Sequence, residues 1–497
     1  MPEEQYKKYE FLFILSIFII GFLFIYLASN TPMLGEDEAG YVSLAKEFMG
    51  LEYEKSIYAI APLASLLYVP FFTIFGPSLG LAKAIIAFFG ILTIIMVYLF
   101  CKKLNPASFY GINICGLASI AILLTIFYFP HFMMLSYTEI PIAFFSILFV
   151  YLLLDLKTIK GAVLVGIIMG LSFYLKSSSL IFPITIFLFS LIKYILKKDK
   201  EFFKLSIISI FIFSLLMLPF IIRNIILFNY PFVEGFNIFF EMPRVIEPTW
   251  ASAEAAKLIS IPVNLFNVFG FVPLFFCIIG MIYSWQTKNK KIIPSIFLFL
   301  LFILVFYFRN ILGIAIGDPR YLSIIFPQIA VLGGFYISQV AKMKKYISLL
   351  VVVFFIYALS TSITVALSTS QSTRYPDNYI QALRWVKQNT NEDDLIFTAY
   401  SGSLAYYGER QNVWAVSMDE FPDLMHSTNS TQIYKTLKEY GISYILIWRG
   451  ILSDDWIIPE SNIIGVFTYN FAIQVDGDKE NFEMVYSNQD NFIYKLL

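Results

Sequence analysis

The sequence predicts a polytopic α-helical membrane protein, about 11 transmembrane helices, with a C-terminal extracytoplasmic α/β domain. Three observations carry that prediction. The 497 residues are 58% hydrophobic and only 14% charged, with a mean hydropathy of +0.73, far from the profile of a soluble domain. Apolar runs of near-spanning length recur from residue 11 to about residue 367. After Thr373 the composition changes sharply: from Arg374 to Leu497 there are 9 Lys/Arg against 17 Asp/Glu. The zero net charge of the chain therefore hides a tail of −8 and a membrane part of +8.

Spans are expected near 11–29, 79–101, 109–129, 138–156, 161–175, 178–196, 203–227, 263–285, 292–312, 321–341 and 346–367. Within the 161–196 pair, Lys176-Ser177-Ser178-Ser179 makes a very tight connection. Basic clusters fall at Lys7-Lys8, Lys102-Lys103, Lys157/Lys160, Lys193–Lys204, Lys288–Lys291 and Lys342–Lys345. With this number of spans every cluster lands on one side, which the positive-inside rule makes cytoplasmic. The N-terminus is then cytoplasmic, and the tail and the loop 228–262 face outward across the plasma membrane. Phe11–Ala28 reads as an uncleaved anchor, because its apolar core is too long for a signal peptide and its removal would break the parity.

Two domains follow: a membrane domain over 1–370, including a first outer loop at 30–78, and a soluble domain over 371–497. The loop reads as two surface helices. One runs from Ala39 to Met49, with apolar positions 41, 42, 45, 48 and 49 on one side. The other runs roughly Ile60–Phe75, with Pro62 in its first turn and Gly76-Pro77 at its end. Two helices lying on the bilayer are not what a simple channel needs; they suit an enzyme that roofs a cavity open to lipid. In the tail, helices at Asp377–Asn389 and Thr431–Tyr440 alternate with strands at Leu395–Tyr400, Asn412–Val416, Ile442–Trp448, Phe482–Tyr486 and Asn491–Leu496.

Several chemistries are excluded early. Cys101, Cys115 and Cys277 lie in or beside predicted spans, so neither a disulfide framework nor a zinc-type spacing exists. His131 and His426 are the only histidines, which rules out a histidine-rich metal site. One Asn429-Ser430-Thr431 sequon stands in the tail. Tyr406, Tyr407, Trp414 and Trp456 could stack on sugar rings, though core packing is the commoner use of such side chains.

What remains is charge at helix ends. Glu36-Asp37-Glu38 follows the first span. Acids there either satisfy the dipole and free N–H groups of the next helix or form part of a site; the triplet alone leaves both readings open. Glu139, Lys176, Arg223, Arg309, Asp318 and Arg320 fall in the same outer boundary layer on this topology. Arginine grips phosphate through paired hydrogen bonds, and a carboxylate can take the proton of a hydroxyl nucleophile. Cations plus a base beside lipid suggest transfer of a group away from a lipid phosphate.

These residues also carry a resemblance. Asp37-Glu38-Ala39-x-Tyr41-x-x-x-Ala45 resembles the acidic loop motif of the GT-C membrane glycosyltransferases, in the branch of protein O-mannosyltransferases and lipid A aminoarabinose transferases. Ala61-Pro62-Leu63 to Phe75-Gly76-Pro77, Thr138-Glu139-Ile140-Pro141, Gly170 to Lys176, Arg223-Asn224 to Tyr230-Pro231, and Arg320-Tyr321-Leu322 with Pro327 are similar to further family segments, in the family's order. The resemblance covers about residues 1–340. Glu139 stands where aspartate is commoner in the family.

The resemblance implies an inverting glycosyltransferase that moves a sugar from a polyprenyl phosphate (dolichyl or undecaprenyl) to an acceptor hydroxyl on the outer face. It implies catalytic roles for Asp37 as general base and Glu139 beside it, and acceptor positioning by Glu38 and Tyr41. Lys176, Arg223 and Arg320 would bind the donor phosphate and offset the charge it gains. No cofactor is expected: hard oxygen ligands suit a divalent cation between Asp37 and Glu139, but lysine and arginine alone can hold a monophosphate leaving group. Partners would be the lipid-linked donor, a glycan, lipid or protein acceptor, and the bilayer, with no nucleic acid. Two other classes compete. A transporter or flippase of lipid-linked sugars would put its charges near the midplane, and a sensor with an outer binding domain would leave the membrane acids unexplained.

Overall fold

A computed structural model of the chain describes residues 3–33, 35–50, 63–104, 108–228, 265–287, 289–311, 319–343, 345–372, 375–398, 403–414, 424–425, 427–449, 452–453 and 467–497. The expected outward loop 228–262 lies almost wholly outside these residues, as do Asp318, His426, Trp456, the start of the second surface helix and the side chains of Arg309 and Trp414. The described residues form two compact units. The first takes Met1–Thr31, Ala59–Ala64 and Gly80–Gln371; the second takes Pro32–Tyr58, Ser65–Leu79 and Ser372–Leu497.

The first unit is helical. Its helices are α1 (Glu3–Ser29), α4 (Leu79–Leu104), α5 (Ile114–Thr125), α6 (Tyr128–Met133), α7 (Glu139–Leu153), α8 (Ile159–Leu175), α9 (Ile181–Lys197), α10 (Lys200–Phe228), α11 (Phe271–Thr287), α12 (Ile293–Ile311), α13 (Phe326–Met343) and α14 (Lys345–Gln371). Six segments, Lys8–Ser29, Leu79–Leu104, Ser177–Lys197, Lys200–Arg223, Arg320–Met343 and Tyr346–Gln371, are long and apolar enough to cross a bilayer. Shorter apolar helices stand at the other expected positions. The expected span 109–129 is broken up: strands Ser108–Phe109 (β1) and Ile112–Asn113 (β2) pair as a hairpin, α5 follows, and α6 continues after Ile126. Asn113 explains the late start, because its side chain caps the helix by accepting from the Gly116 N–H.

Burial sorts these helices. Ile114 to Leu124 of α5 are all buried, and so is most of α13. Around them α1, α10 and α14 expose Phe11, Phe22, Phe211, Leu215, Val353 and Tyr357. Exposed apolar side chains of that size make a lipid-facing surface, where every backbone group is already satisfied within its helix. Helices α8 and α10 run parallel. Ser209 Oγ donates to the Ala162 carbonyl at 2.9 Å, and farther along both helices Tyr174 Oη donates to the Leu216 carbonyl at 2.8 Å. Gly166 and Gly170 make the approach close: a Cβ on Gly166 would sit 2.7 Å from the Ser209 carbonyl oxygen.

In the second unit the acidic triplet opens helix α2 (Glu36–Phe48), with Gly35 as its N-cap. The helix thus starts three residues earlier than the apolar pattern indicates, because acids are favourable in a first turn. Its buried face also differs from expectation. Glu38, Ala39, Val42, Ala45 and Lys46 are buried, while Phe48 is exposed. Helix α3 (Leu63–Phe75) follows, and Gly76 at φ +82° ends it in the left-handed region that glycine adopts freely.

The C-terminal part of this unit is a five-stranded sheet in the order β4-β3-β5-β9-β8, made of β3 (Leu395–Thr398), β4 (Asn412–Trp414), β5 (Ile442–Trp448), β8 (Phe482–Ser487) and β9 (Asn491–Leu496). Strands β3, β4 and β5 are parallel, and β9 pairs antiparallel with both β5 and β8. Helix α15 (Asp377–Asn389) leads into β3, and the mixed order follows from the connections: the segment with the Leu404–Gly408 turn joins β3 to β4 and helix α16 (Ser430–Glu439) lies between β4 and β5, as parallel crossovers need, whereas the short 488–490 turn between β8 and β9 permits only a hairpin. Helix α17 (Tyr469–Gly477), a two-residue pair β6 (Leu452–Ser453) with β7 (Phe467–Thr468), and a π-helical turn at Leu404–Gly408 complete it.

Candidate active site

In the first unit three of the expected residues converge. Glu139 is the first residue of α7, where its charge complements the helix N-terminus. Lys176 follows α8 in an extended conformation (φ −159°, ψ 126°), and a 3₁₀ turn at Ser177–Leu180 leads into α9. This extended residue is how the tight connection is made, and it turns the lysine back across the helix ends. Lys176 Nζ donates to Glu139 Oε1 at 2.5 Å, with the side chains 13% and 3% exposed. A pair so withdrawn from water is held by charge and hydrogen bond together.

Two aromatic rings complete the cluster. Lys176 Nζ lies 4.6 Å from the centre of the Tyr321 ring. The Arg320 guanidinium lies 5.8 Å from the same ring and 5.9 Å from that of Tyr137, within cation–π reach. Arg320 and Tyr321 belong to a 3₁₀ turn, Pro319–Ile325, that packs on α7. Below it Gln328 Nε2 donates to Ser146 Oγ at 2.8 Å, a buried bond between α13 and α7. Two cations, one carboxylate and two phenols thus meet where α7, α8 and α13 end. Such a group can hold a phosphate and keep a carboxylate oriented.

Arg223 stands at the matching level of α10. It lies three residues past Phe220, whose ring packs edge-on against Phe173 at 5.3 Å, and Phe173 is three residues before Lys176. The sequence reading gave no site role to Tyr137, to Tyr321, which it quoted only as part of the Arg320-Tyr321-Leu322 segment, or to Lys83, which is fully buried in α4. The signal for Lys83 is a lone cation inside an apolar helix; it reads equally as the polar flank of a span.

Asp37, Glu38 and Tyr41 belong to the second unit, on α2. Asp37 and Tyr41 are half-buried, and Glu38 is completely buried. Tyr407 is close to Glu38: burial, the neighbouring Tyr406 and the Glu38 carboxylate together push its phenol up to about 12. Among the described residues no group of three or more His, Cys, Asp or Glu could hold a metal ion.

No protein-family model matches the sequence, and no curated protein matches it. Solved structures do match. The oligosaccharyltransferase of Archaeoglobus fulgidus, solved with zinc and sulfate, superposes with a TM-score of 0.64 at 16% identity, over 97% of this chain and 73% of that one. ArnT from Cupriavidus metallidurans, solved with undecaprenyl phosphate, gives 0.64 at 11% identity over 98% of each chain. The arabinofuranosyltransferase AftD from mycobacteria gives 0.55 at 11% identity, over 97% of this chain and 40% of that one. All three are GT-C glycosyltransferases. The chain has the GT-C fold: a polytopic helical membrane domain joined to a C-terminal domain with a sheet.

Proposed function

We propose that the chain is an inverting glycosyltransferase that takes a sugar from a polyprenyl phosphate and passes it to an acceptor hydroxyl. The observation that carries this reading is the Glu139–Lys176 pair flanked by Arg320. All three residues stand at helix ends, where a lipid phosphate lies, and not in mid-span as a transporter's charges would. The neighbours add weight, since one was solved with undecaprenyl phosphate and another with dolichol phosphate.

In this mechanism the acceptor oxygen attacks the anomeric carbon as the bond from that carbon to the phosphate oxygen breaks. Asp37 accepts the acceptor's proton, and the polyprenyl phosphate leaves with one more negative charge. Lys176 and Arg320, with Arg223 at the same level, offset that charge in surroundings where fixed cations act strongly. Glu139 orients Lys176 and the acceptor; Glu38 and Tyr41 hold the acceptor side of α2. A divalent cation fits poorly at Glu139, whose carboxylate is already neutralised by the Lys176 ammonium at 2.5 Å, so no step is assigned to one. The N-terminus is cytoplasmic and the C-terminal domain faces outward, as the basic clusters require.

Native mass spectrometry of the purified protein with dolichyl phosphate tests the phosphate site. Wild type should retain the lipid, and Lys176→Met and Arg320→Ala should each weaken retention at least tenfold. Equal retention by all three proteins would contradict the assignment.

A further inference from the structure

We infer that Lys46 and Tyr406 are positioning residues: the C-terminal domain fixes the rotation of α2, and so the placement of Asp37, through a buried contact between them. This inference rests on the reading of Asp37 given above.

A surface helix normally turns an apolar stripe inward. On α2 that stripe holds a glutamate and a lysine, Glu38 and Lys46, both buried. Two buried charges on a helix of 13 residues are costly unless something specific receives them. The receiver is the π-helical turn at Leu404–Gly408, against which α2 packs. Lys46 Nζ lies 4.8 Å from the centre of the Tyr406 ring, and Tyr406 Oη accepts the backbone N–H of Leu79 at 3.3 Å. The next residue, Tyr407, is near enough for the Glu38 carboxylate to help push its phenol up. The contact between Lys46 and Tyr406 thus anchors one end of the buried face, and the Glu38 charge, two turns away on α2, acts on the neighbouring Tyr407.

The turn is itself held rigidly. On one side Ser403 Oγ and Tyr379 Oη share a hydrogen bond of 3.0 Å, and the Tyr379 ring stacks on Trp448 of β5. On the other, Arg410 donates to the Lys387 and Thr390 carbonyls at 2.6 and 2.8 Å, closing the end of α15. Between them Glu409 adopts φ +46°, a left-handed conformation that costs a non-glycine residue energy, and pairs with Lys387 at 2.6 Å. π turns and strained residues recur where a chain must aim a side chain. Here the side chains aimed are Tyr406 and Tyr407. Rotating α2 by one residue would carry Lys46 and Glu38 about 100° off their partners, so the contact selects one rotation, the role best attested for buried polar groups.

The test uses the full chain with dolichyl phosphate mannose as donor, on variants shown to be monodisperse. Lys46→Ala and Tyr406→Ala should each lower kcat at least tenfold with the donor KM unchanged within twofold, and the double variant should lose no more than either single one. Lys46→Arg and Tyr406→Phe should restore most of the rate. Independently of activity, Tyr406→Ala should speed hydrogen exchange of the α2 amides while β3 and β5 stay protected. Additive losses, a change confined to KM, or unchanged α2 exchange would each overturn the inference. Asp37→Asn in the same assay separates the two claims: if it abolishes transfer while Lys46→Ala does nothing, only the positioning role is lost.

Discussion

The Glu139 carboxylate shows how much rests on one neighbour. It is 3% exposed, and its visible partner in the cluster is the Lys176 ammonium. Replacing Lys176 with methionine leaves that carboxylate buried without its cation, which costs about 3–5 kcal/mol. The Lys176→Met variant should therefore unfold at markedly lower temperature in detergent, and Lys176→Met with Glu139→Gln should recover most of the loss. Thermal unfolding of the three proteins measures this. Tyr407 offers a second residue-scale test. Its phenol is pushed up to about 12 from an ordinary 10.0 by burial, Tyr406 and Glu38. Its contribution to stability is thus fully present below about pH 10 and is lost as pH rises toward 12. Tyr407→Phe should flatten the fall in stability over that window, and the absorbance difference between wild type and variant should show one phenol titrating late.

The elements show which parts of the pattern were readable. Strands β5 and β9 end where their alternation and apolar runs end, at Ile442–Trp448 and Asn491–Leu496, because a buried strand is written in its own residues. Helix α2 was read less well. The charges that would normally mark a solvated face, Glu38 and Lys46, are buried, and their partners lie more than 350 residues away in sequence. Only tertiary contact reveals such a face. The π turn has no local signature either: Leu404-Ala405-Tyr406-Tyr407-Gly408 reads as an ordinary helical turn. At the α8–α10 contact the two glycines differ in a checkable way. A Cβ on Gly166 meets the Ser209 backbone carbonyl at 2.7 Å, whereas one on Gly170 meets the movable end of Leu216 at 2.7 Å. Gly166→Ala should cost about 1–3 kcal/mol and Gly170→Ala clearly less, read from unfolding temperatures.

For the whole molecule, the helical membrane architecture was legible because a membrane imposes a strong rule, long apolar helices that satisfy their own backbone groups. The candidate cluster was legible one residue at a time, as charges at helix ends. The pairing of Glu139 with Lys176 was not, since it depends on α8 ending in an extended lysine. Orientation can be tested directly. Cys101, Cys115 and Cys277 are buried, so an added surface cysteine reports alone. Thr428→Cys should react with a membrane-impermeant maleimide in intact cells, and Lys290→Cys only after permeabilisation; the reverse pattern contradicts the assigned topology. The central claim, sugar transfer from a polyprenyl phosphate with Asp37 as base, is tested most directly by one comparison. Wild type and Asp37→Asn are given radiolabelled dolichyl phosphate mannose with membrane acceptors, and lipid-free label is counted. The account predicts transfer by wild type and a loss of at least a hundredfold in Asp37→Asn; undiminished transfer by the variant would contradict it.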